Sequence, residues 1–205
     1  MLNVTVAILG FIIALPLLLA IALAVKGTSP GSAFYSQRRV GLDRRVRSAT
    51  WGVRCRRRED HGGRIFIIYK FRTMRVHDAA GEQWARAGDP RITAIGAVLR
   101  RYRLDELPQL CNVLRGDMNI VGPRPEQPAI FLRLKDEIAD YRARQRVLPG
   151  ITGWAQINQR YDQSLEDVRR KVALDLEYLR CRSVARDVRI MVWTVPVMIG
   201  ARGAV

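Results

Sequence analysis

Two adjacent carboxylates, Asp105 and Glu106, lie in a stretch of the chain that is rich in arginine. Like-charge repulsion raises the pKa of each carboxyl group, so such a pair is favoured where cations or Mg²⁺ lie beside it. The flanking arginines are Arg100, Arg101, Arg103, Arg115 and Arg124. Carboxylates, a metal and arginines together indicate chemistry on phosphate. The spacing alone also allows a simpler interpretation, in which both carboxylates stabilise the start of a helix at Pro108.

The chain is strongly basic, and all of its charged residues follow the apolar N-terminal segment. Its 205 residues carry a formal net charge of +16, and no charged side chain precedes Lys26. The length is enough for one domain of ordinary size after an apolar N-terminal segment. The basic domain should be attracted to polyanions, namely nucleic acid, the headgroups of an acidic membrane leaflet or a phosphorylated substrate. Net charge does not choose between them.

Few residues are available for histidine or thiol chemistry. The two histidines, His61 and His77, lie in polar, loop-like stretches. The three cysteines, Cys55, Cys111 and Cys181, include no pair with the spacing of zinc ligands, which favours reduced thiols in a cytosolic domain. The sequence also lacks the glycine-rich motifs of P-loop and Rossmann nucleotide sites. Any phosphate must therefore be bound largely by side chains.

Residues 1–25 form an apolar segment that is long enough to cross a bilayer. Pro16 lies near its middle and predicts a kink, which leaves two topologies open: a helix that spans the bilayer, or one that turns back and leaves both ends on one face. Basic residues follow the segment and place the rest of the chain in the cytosol under the positive-inside rule. The sequence thus predicts a membrane-inserted segment, residues 1–26, and a cytosolic catalytic domain, residues 27–205.

Periodicity predicts a mainly α fold with a small β element. An extended segment at 33–35 and a buried strand at 65–69 supply the β structure. Helices are predicted at 89–102, 108–116, 126–146, 164–182 and 188–199. The last helix is either buried or an interfacial amphipathic helix. Residues 44–64 read as a basic loop or hairpin insertion, either solvated or bound to the leaflet.

The local sequence brings cations toward the carboxylate pair. The helix at 89–102 delivers Arg100 next to Asp105, and Lys70 follows the buried strand. Pro123 and Pro125 stiffen the backbone on both sides of Arg124, since each proline fixes its own φ and restricts the residue before it. A rigidly held arginine suits an anion better than a mobile one.

Longer motifs occur in one order along the chain. They are 70–74 (KFRTM), 89–91 (DPR), 104–110 (LDELPQL), 112–114 (NVL), 116–118 (GDM), 121–125 (VGPRP) and 149–156 (PGITGWAQ). Together they closely resemble the bacterial sugar transferase family, the small monotopic phosphoglycosyl transferases. The resemblance extends from Pro16 to about Val197.

This resemblance implies an activity and a location. The family transfers a sugar 1-phosphate from a UDP-sugar to polyprenyl (undecaprenyl) phosphate, releases UMP and begins a surface glycan such as an exopolysaccharide. The reaction takes place on the cytoplasmic leaflet of the bacterial inner membrane. The family also has a re-entrant membrane helix that is broken at a proline, which here is Pro16. Leu15 stands where the family often has serine, and leucine has no hydroxyl to satisfy a freed backbone carbonyl.

The resemblance also implies roles for single residues. Asp105 matches the family's nucleophile, which forms a covalent sugar-phosphoryl aspartate, and Glu106 matches the ligand of a Mg²⁺ cofactor. Arg100, Arg124 and Arg160 match positions around the phosphate site, and Lys70 is a further phosphate-binding candidate. Around Arg160 and the Pro-Gly turn the chain departs from the family, with Gln159 in place of a glycine and Leu148 in place of a basic residue.

Two other functions compete with this interpretation. A membrane-tethered nucleic-acid-binding module would use the net charge and aromatic residues such as Tyr35 and Trp51, although no recognition motif for nucleic acid is found. A non-catalytic membrane scaffold would use Asp105 and Glu106 only to cap a helix. The expected partners of the enzyme are a UDP-sugar donor, polyprenyl phosphate and anionic lipids, with no nucleic acid. The sugar is not predicted, and a homodimer is left open.

Overall fold

The computed structural model describes residues 2–43, 62–75, 89–159 and 164–200. Most of the predicted basic insertion at 44–64, and Arg160, lie outside these ranges. Within them the chain is mostly helical with two small sheets, which confirms the predicted secondary-structure class.

The described ranges contain helices of very different lengths and four short strands. The α-helices are α1 (Leu2–Thr28), α2 (Ala94–Arg101), α3 (Leu110–Leu114), α4 (Pro128–Glu137), α5 (Trp154–Asn158), α6 (Leu165–Arg180) and α7 (Val184–Ile199). The strands are β1 (Phe34–Val40), β2 (Ile65–Phe71), β3 (Asn119–Val121) and β4 (Gly150–Thr152). Two 3₁₀ helices complete the set: Leu104–Gln109, called here the dyad helix, and Tyr141–Arg146.

The strands form two separate pairs. β1 and β2 are antiparallel, with Tyr35 opposite Lys70 and Arg39 opposite Phe66. β3 and β4 are parallel, with Asn119 opposite Gly150. β1 continues beyond the predicted extended segment at 33–35 and includes Arg39. The strand persists because every residue from Phe34 to Val40 has a partner on β2.

The predicted helix at 126–146 is interrupted, and this prediction was wrong. α4 ends at Glu137, Ile138 is extended, and Asp140 has a left-handed φ of 57° before the second 3₁₀ helix begins. The apolar positions Leu134, Ile138 and Tyr141 nevertheless bury together in one cluster. The apolar residues are therefore buried as the pattern predicted, although the helix does not continue. The chain changes direction at Asp140, whose left-handed conformation aspartate tolerates better than most residues do.

Smaller differences concern helix ends. α2 begins at Ala94 rather than at Asp89, because the Thr93 hydroxyl accepts a hydrogen bond from Gly96 N at 3.0 Å and caps the helix. α6 begins with a capping box, in which the Ser164 hydroxyl accepts from Asp167 N and the Asp167 side chain accepts from Ser164 N. α7 begins earlier than predicted, at Val184.

The N-terminal helix α1 packs along the domain at both of its ends. Near its start, Ala7 is buried in one cluster with residues of α3 and β3, and the Asn3 Oδ1 atom accepts a hydrogen bond from Ile120 N at 3.1 Å. Near its end, Ile21 and Val25 are buried against β2 and α2. In length and composition, α1 is the one helix of the described residues that could cross a membrane.

The helical residues of α1 continue through Pro16, so the predicted break at this proline is not seen. A proline removes one backbone hydrogen bond and disturbs the preceding turn, but a helix can resume beyond it. The face of α1 turned away from the domain is apolar and exposed, with Ile13 79% and Leu23 71% exposed. Re-entry into the bilayer stays a prediction.

Candidate active site

The site is assembled where β2 meets the dyad helix. Asn112, on α3, is fully buried and joins these elements: its Oδ1 accepts from Tyr69 N at 3.1 Å, and its Nδ2 donates to Ile67 O at 2.7 Å. The side chain thus occupies two main-chain groups of β2. This fixes the strand that carries Lys70 against the chain that follows the dyad helix.

A left-handed residue precedes the two carboxylates. Arg103 joins α2 to the dyad helix with a φ of 54°, and its carbonyl accepts a hydrogen bond from Glu106 N at 3.2 Å. This conformation is uncommon for an arginine and carries a cost in backbone energy. It allows α2 to end and the dyad helix to begin within two residues.

Glu106 lies between two cationic side chains, Lys70 and Arg124. We call these three residues the Glu106 cluster. Lys70 Nζ donates to Glu106 Oε1 at 2.5 Å. Arg124 donates from Nη2 to Oε1 at 2.6 Å and from Nη1 to Oε2 at 3.1 Å, so it binds the carboxylate with both nitrogens. The Glu106 side chain is 8% exposed, while that of Arg124 is 29% exposed and reaches solvent.

The electrostatics of this cluster keep Glu106 ionised. Burial acts to raise the pKa of Glu106, but the charges and hydrogen bonds of Arg124 and Lys70 outweigh it and hold that pKa well below its usual range. Burial also lowers the pKa of Lys70, and Glu106 opposes that shift. One carboxylate thus faces two cations, and the cluster has a positive surplus.

Asp105 has a different environment from its neighbour. It is half-buried, and no described residue donates a hydrogen bond to its carboxylate or forms an ion pair with it. Burial and the charge of Glu106 raise the pKa of Asp105 to about 6, whereas Lys70, Arg124 and Arg100 act to lower it. An ionised Asp105 near neutral pH is therefore a carboxylate that lies beside several cations and accepts no hydrogen bond from the described part of the chain.

Arg100 lies near Asp105, as predicted, but its guanidinium contacts residues that follow β2. Nε donates to Thr73 Oγ1 at 2.9 Å, and Nη2 lies 3.3 Å from Met74 Sδ. Its charge still lowers the pKa of Asp105. The structure therefore brings together Lys70, Arg100, Arg124 and the carboxylate pair.

Comparison with known proteins identifies the family. The model of the bacterial sugar transferases matches residues 1–201. The chain belongs to the bacterial sugar transferase family. The predicted resemblance is thereby confirmed.

Several curated relatives of this sugar transferase carry descriptive names. The chain is 43% identical over 92% of its length to a UDP-glucose:undecaprenyl-phosphate glucose-1-phosphate transferase of Xanthomonas campestris pv. campestris, of which it covers 36%. It is 41% identical over 94% of its length to an enzyme of the same name from Escherichia coli (strain K12), of which it covers 38%. It is 37% identical to the exopolysaccharide production protein ExoY of Sinorhizobium fredii (strain NBRC 101917 / NGR234), with 98% of this chain and 85% of that protein covered. The chain thus spans little more than a third of the first two relatives.

Three residues that support the site of this sugar transferase were not predicted. They are Asn112 on α3, Arg39 on β1 and Arg144 in the second 3₁₀ helix. Arg39 donates to Pro125 O, and Arg144 donates to Arg124 O. Only the pairing of β1 with β2 and the packing of distant helices bring these side chains to the site. A hint was available for Asn112, which lies in one of the motifs that carry the family resemblance.

The carboxylate oxygens of this site fit a Mg²⁺ ion that takes most of its ligands from substrate and water. No group of three or more His, Cys, Asp or Glu residues with metal-binding geometry occurs in the described part of the chain. Glu106 Oε1 accepts two hydrogen bonds and Oε2 one, which leaves a lone pair on Oε2. Mg²⁺ commonly takes one or two carboxylates and completes its shell with phosphate oxygens and water. Glu106 can supply one such carboxylate.

Proposed function

We propose that this sugar transferase moves a sugar 1-phosphate from a UDP-sugar to polyprenyl phosphate, with UMP as the first product and Asp105 as the attacking group. The observation that carries the proposal is the contrast within the carboxylate pair. Glu106 is occupied by Lys70 and Arg124, while Asp105 receives no hydrogen bond from a described residue. The names of the relatives support the same reaction class.

In the first step an Asp105 carboxylate oxygen attacks the β-phosphorus of the donor. A bond forms between this oxygen and phosphorus, the bond to the bridging oxygen breaks, and the electron pair leaves with UMP. Aspartate serves as a nucleophile toward phosphorus in other enzymes that form aspartyl phosphates. Attack by an anion on an anion requires cations nearby, and Lys70, Arg100 and Arg124 supply them. Mg²⁺, held by Glu106 and the diphosphate, would neutralise further phosphate charge when bound.

In the second step a phosphate oxygen of the polyprenyl acceptor attacks the phosphorus of the aspartyl adduct. Polyprenyl diphosphate sugar forms, and the Asp105 carboxylate is regenerated with its electron pair. Neither step removes a proton from a hydroxyl group, so the reaction needs no general base. This agrees with a site whose described reactive groups are one carboxylate and several cations.

The packing of α1 supports a monotopic arrangement, in which the helix enters the membrane and both ends stay on one side. A helix of 27 residues is about 40 Å long. If α1 crossed the bilayer with the domain on one side, its first turn would emerge on the opposite side. Asn3 and Ala7 instead contact the same domain as Val25. The helix therefore inserts by its exposed apolar face.

The exposed side of α7 supports the same orientation. Apolar residues recur there every three or four positions, as on an interfacial amphipathic helix, and they are Val184, Val188, Val192 and Val195. On its buried side, Ile190 packs in the same cluster as Ala7 of α1. The exposed apolar faces of both helices support contact with a membrane, and the basic residues that follow α1 support an orientation toward the anionic cytoplasmic leaflet.

A donor screen tests the proposed function. The protein, in lipid or detergent, is incubated with Mg²⁺, polyprenyl phosphate and a panel of UDP-sugars, and UMP is measured. We expect release of UMP and formation of polyprenyl diphosphate sugar with at least one donor, and neither product with the Asp105→Asn variant. A chelator should stop the reaction. Absence of UMP across a broad panel, together with salt-sensitive binding of oligonucleotides, would favour the nucleic-acid-binding alternative.

A further inference from the structure

The main chain around Arg124 is held at four successive carbonyl groups. We call residues 122–126 the Pro-Arg-Pro loop. Its acceptors and donors are Pro123 O with Gly150 N at 2.9 Å, Arg124 O with Arg144 Nη2 at 3.0 Å, Pro125 O with Arg39 Nη1 at 3.2 Å, and Glu126 O with Val40 N at 2.9 Å. Gly122 N also donates to Thr152 O at 2.9 Å. Because Pro123 and Pro125 have no N–H group, the carbonyls carry much of the hydrogen bonding between this loop and the rest of the domain.

Arg144 approaches the loop from the second 3₁₀ helix and is itself firmly held. Its Nε donates to Asp175 Oδ2 on α6 at 2.7 Å, and its guanidinium lies over the Tyr141 ring at 5.1 Å from the centroid. The side chains of Arg144 and Asp175 are only 1% and 2% exposed. α6 is thus linked to the Arg124 carbonyl through one buried arginine.

Arg39 approaches the next peptide of the loop from β1. Its Nη2 donates to Gln37 Oε1 at 2.6 Å, and its Nη1 lies 3.8 Å from Glu126 Oε1 as well as bonding to Pro125 O. Its side chain is 15% exposed. β1 and α6 therefore hold adjacent peptides of the same loop through one arginine each.

A buried ion pair is an expensive way to obtain stability alone, because apolar residues of similar volume often do as well. Arg144 and Arg39 differ from ordinary ion-pair partners in one respect: each also donates to a carbonyl next to the Arg124 side chain. The Arg124 guanidinium, in turn, makes two short contacts with Glu106. Movement of this main chain would move the guanidinium away from the carboxylate pair.

We propose that Arg144 and Arg39 are positioning residues for the transfer reaction, which hold the Pro-Arg-Pro loop so that the Arg124 guanidinium stays on Glu106 beside Asp105. This inference rests on the proposed function. Neither residue touches a reacting atom, and each acts only through Arg124. Asp175 contributes to the same positioning because it orients the Arg144 guanidinium.

A double-mutant cycle on transfer tests this inference. Arg39→Gln is measured alone and in an Arg124→Gln background, with rates expressed per folded protein. Loss of the carbonyl contact should lower kcat by about 10- to 100-fold, the scale expected for a small misplacement of a catalytic group. In the Arg124→Gln background the same change should have an effect of less than about twofold, since effects that pass through one residue are not additive. Arg39→Lys retains a donor and should recover part of the rate.

A matched control separates positioning from general destabilisation. Ser183→Ala removes the hydrogen bond that caps α7, in which the Ser183 hydroxyl accepts from Arg186 N at 3.1 Å, and that bond does not involve the loop. This change should alter the rate by the same factor with and without Arg124→Gln. Arg144→Lys should follow the pattern of Arg39→Gln, and the half-buried Arg39 keeps the cycle usable if the Arg144 variant fails to fold.

Hydrogen exchange of peptides that cover residues 122–126 gives a second measurement without turnover. Exchange in these peptides, which contain the Gly122 amide that donates to Thr152 O at 2.9 Å, should be faster in Arg39→Gln and Arg144→Lys than in Ser183→Ala at equal thermal stability. Equal rate factors in both backgrounds, or unchanged exchange, would overturn the inference. Failure of the proposed function gives a different result, because the unaltered protein would then release no UMP. The exchange measurement would still show whether Arg39 and Arg144 hold the loop.

Discussion

The Glu106 cluster and the Arg144–Asp175 pair use the same chemistry in two different ways. In the buried pair, one arginine meets one aspartate, and both side chains are almost fully covered. In the Glu106 cluster, one carboxylate meets Lys70 and Arg124, and the cluster opens to solvent on the Arg124 side. The difference lies in charge balance and in access.

A balanced and covered pair offers no surplus charge to an anionic ligand, so its role lies within the protein. The cluster has one cation more than Glu106 requires, and the adjacent Asp105 receives no hydrogen bond from a described residue. A diphosphate can therefore share the cations of the cluster without leaving a buried charge unpaired. Replacement of residues in the two regions should accordingly affect different properties.

The largest effect is expected from Asp105→Asn. Asparagine keeps the volume and removes the attacking oxygen anion, so transfer should fall by at least about a thousandfold. The thermal midpoint should stay the same or rise, because burial and Glu106 oppose ionisation of this group. UMP release and a thermal melt measure the two properties. Transfer at more than a tenth of the normal rate would remove Asp105 from the role of nucleophile.

The opposite pattern is expected for Asp175→Asn. Loss of this carboxylate leaves the Arg144 guanidinium buried without its counter-charge, which costs about 3–5 kcal/mol of folding free energy. Denaturant unfolding measures the loss. Glu166→Gln, at an exposed ion pair on the same helix, is the control and should cost less than about 1 kcal/mol. Equal losses of folding free energy in the two variants would show that the buried pair stabilises the protein no more than the exposed pair does.

Lys70→Met tests the surplus of cations. Glu106 keeps both contacts with Arg124, so stability should change little, while transfer should fall by about a hundredfold because one cation no longer faces the phosphates. Parallel measurements of kcat and of the free energy of unfolding show whether Lys70 serves the reaction or the stability of the fold. If stability falls as far as in Asp175→Asn with kcat intact, then Lys70 is a structural partner and the two regions are alike.

The smallest effect concerns pH. Asp105 has to be ionised to attack, and its pKa of about 6 predicts that kcat/KM falls as the pH drops through this range. Arg100→Gln removes a charge that lowers this pKa, so the acid limb should move to higher pH by less than about one unit. Arg101→Gln, at an exposed neighbour on α2, should leave the limb in place. A limb that moves to lower pH in the Arg100 variant would contradict the assignment.

Local features of this fold were predictable, and partners distant in sequence were not. The Ser164 capping box and the stiff Arg124 backbone depend on residues close together in the chain, and the apolar pattern at 126–146 correctly indicated which residues are buried. Periodicity does not reveal which buried polar groups pair. Arg39 lies 86 residues from Pro125, and Arg144 lies 31 residues from Asp175. Only the folded chain shows these contacts.

Residue types showed where the chemistry lies but not how the two carboxylates differ. Asp105 and Glu106 are equivalent by position in the sequence, since both lie between arginines and before Pro108. The left-handed Arg103 and the approach of Lys70 and Arg124 give Glu106 three hydrogen bonds and leave Asp105 with none from a described residue. The assignment of roles from family resemblance thus gains a physical reason.

The central claim is that Asp105 becomes covalently phosphorylated by the donor. The most direct measurement is the intact mass of the protein, quenched in acid after brief exposure to its UDP-sugar and Mg²⁺ without polyprenyl phosphate. The account predicts a gain equal to one sugar-phosphoryl group, located on the peptide that contains Asp105 and missing in Asp105→Asn. UMP release with an unmodified protein, or an adduct on another residue, would contradict it.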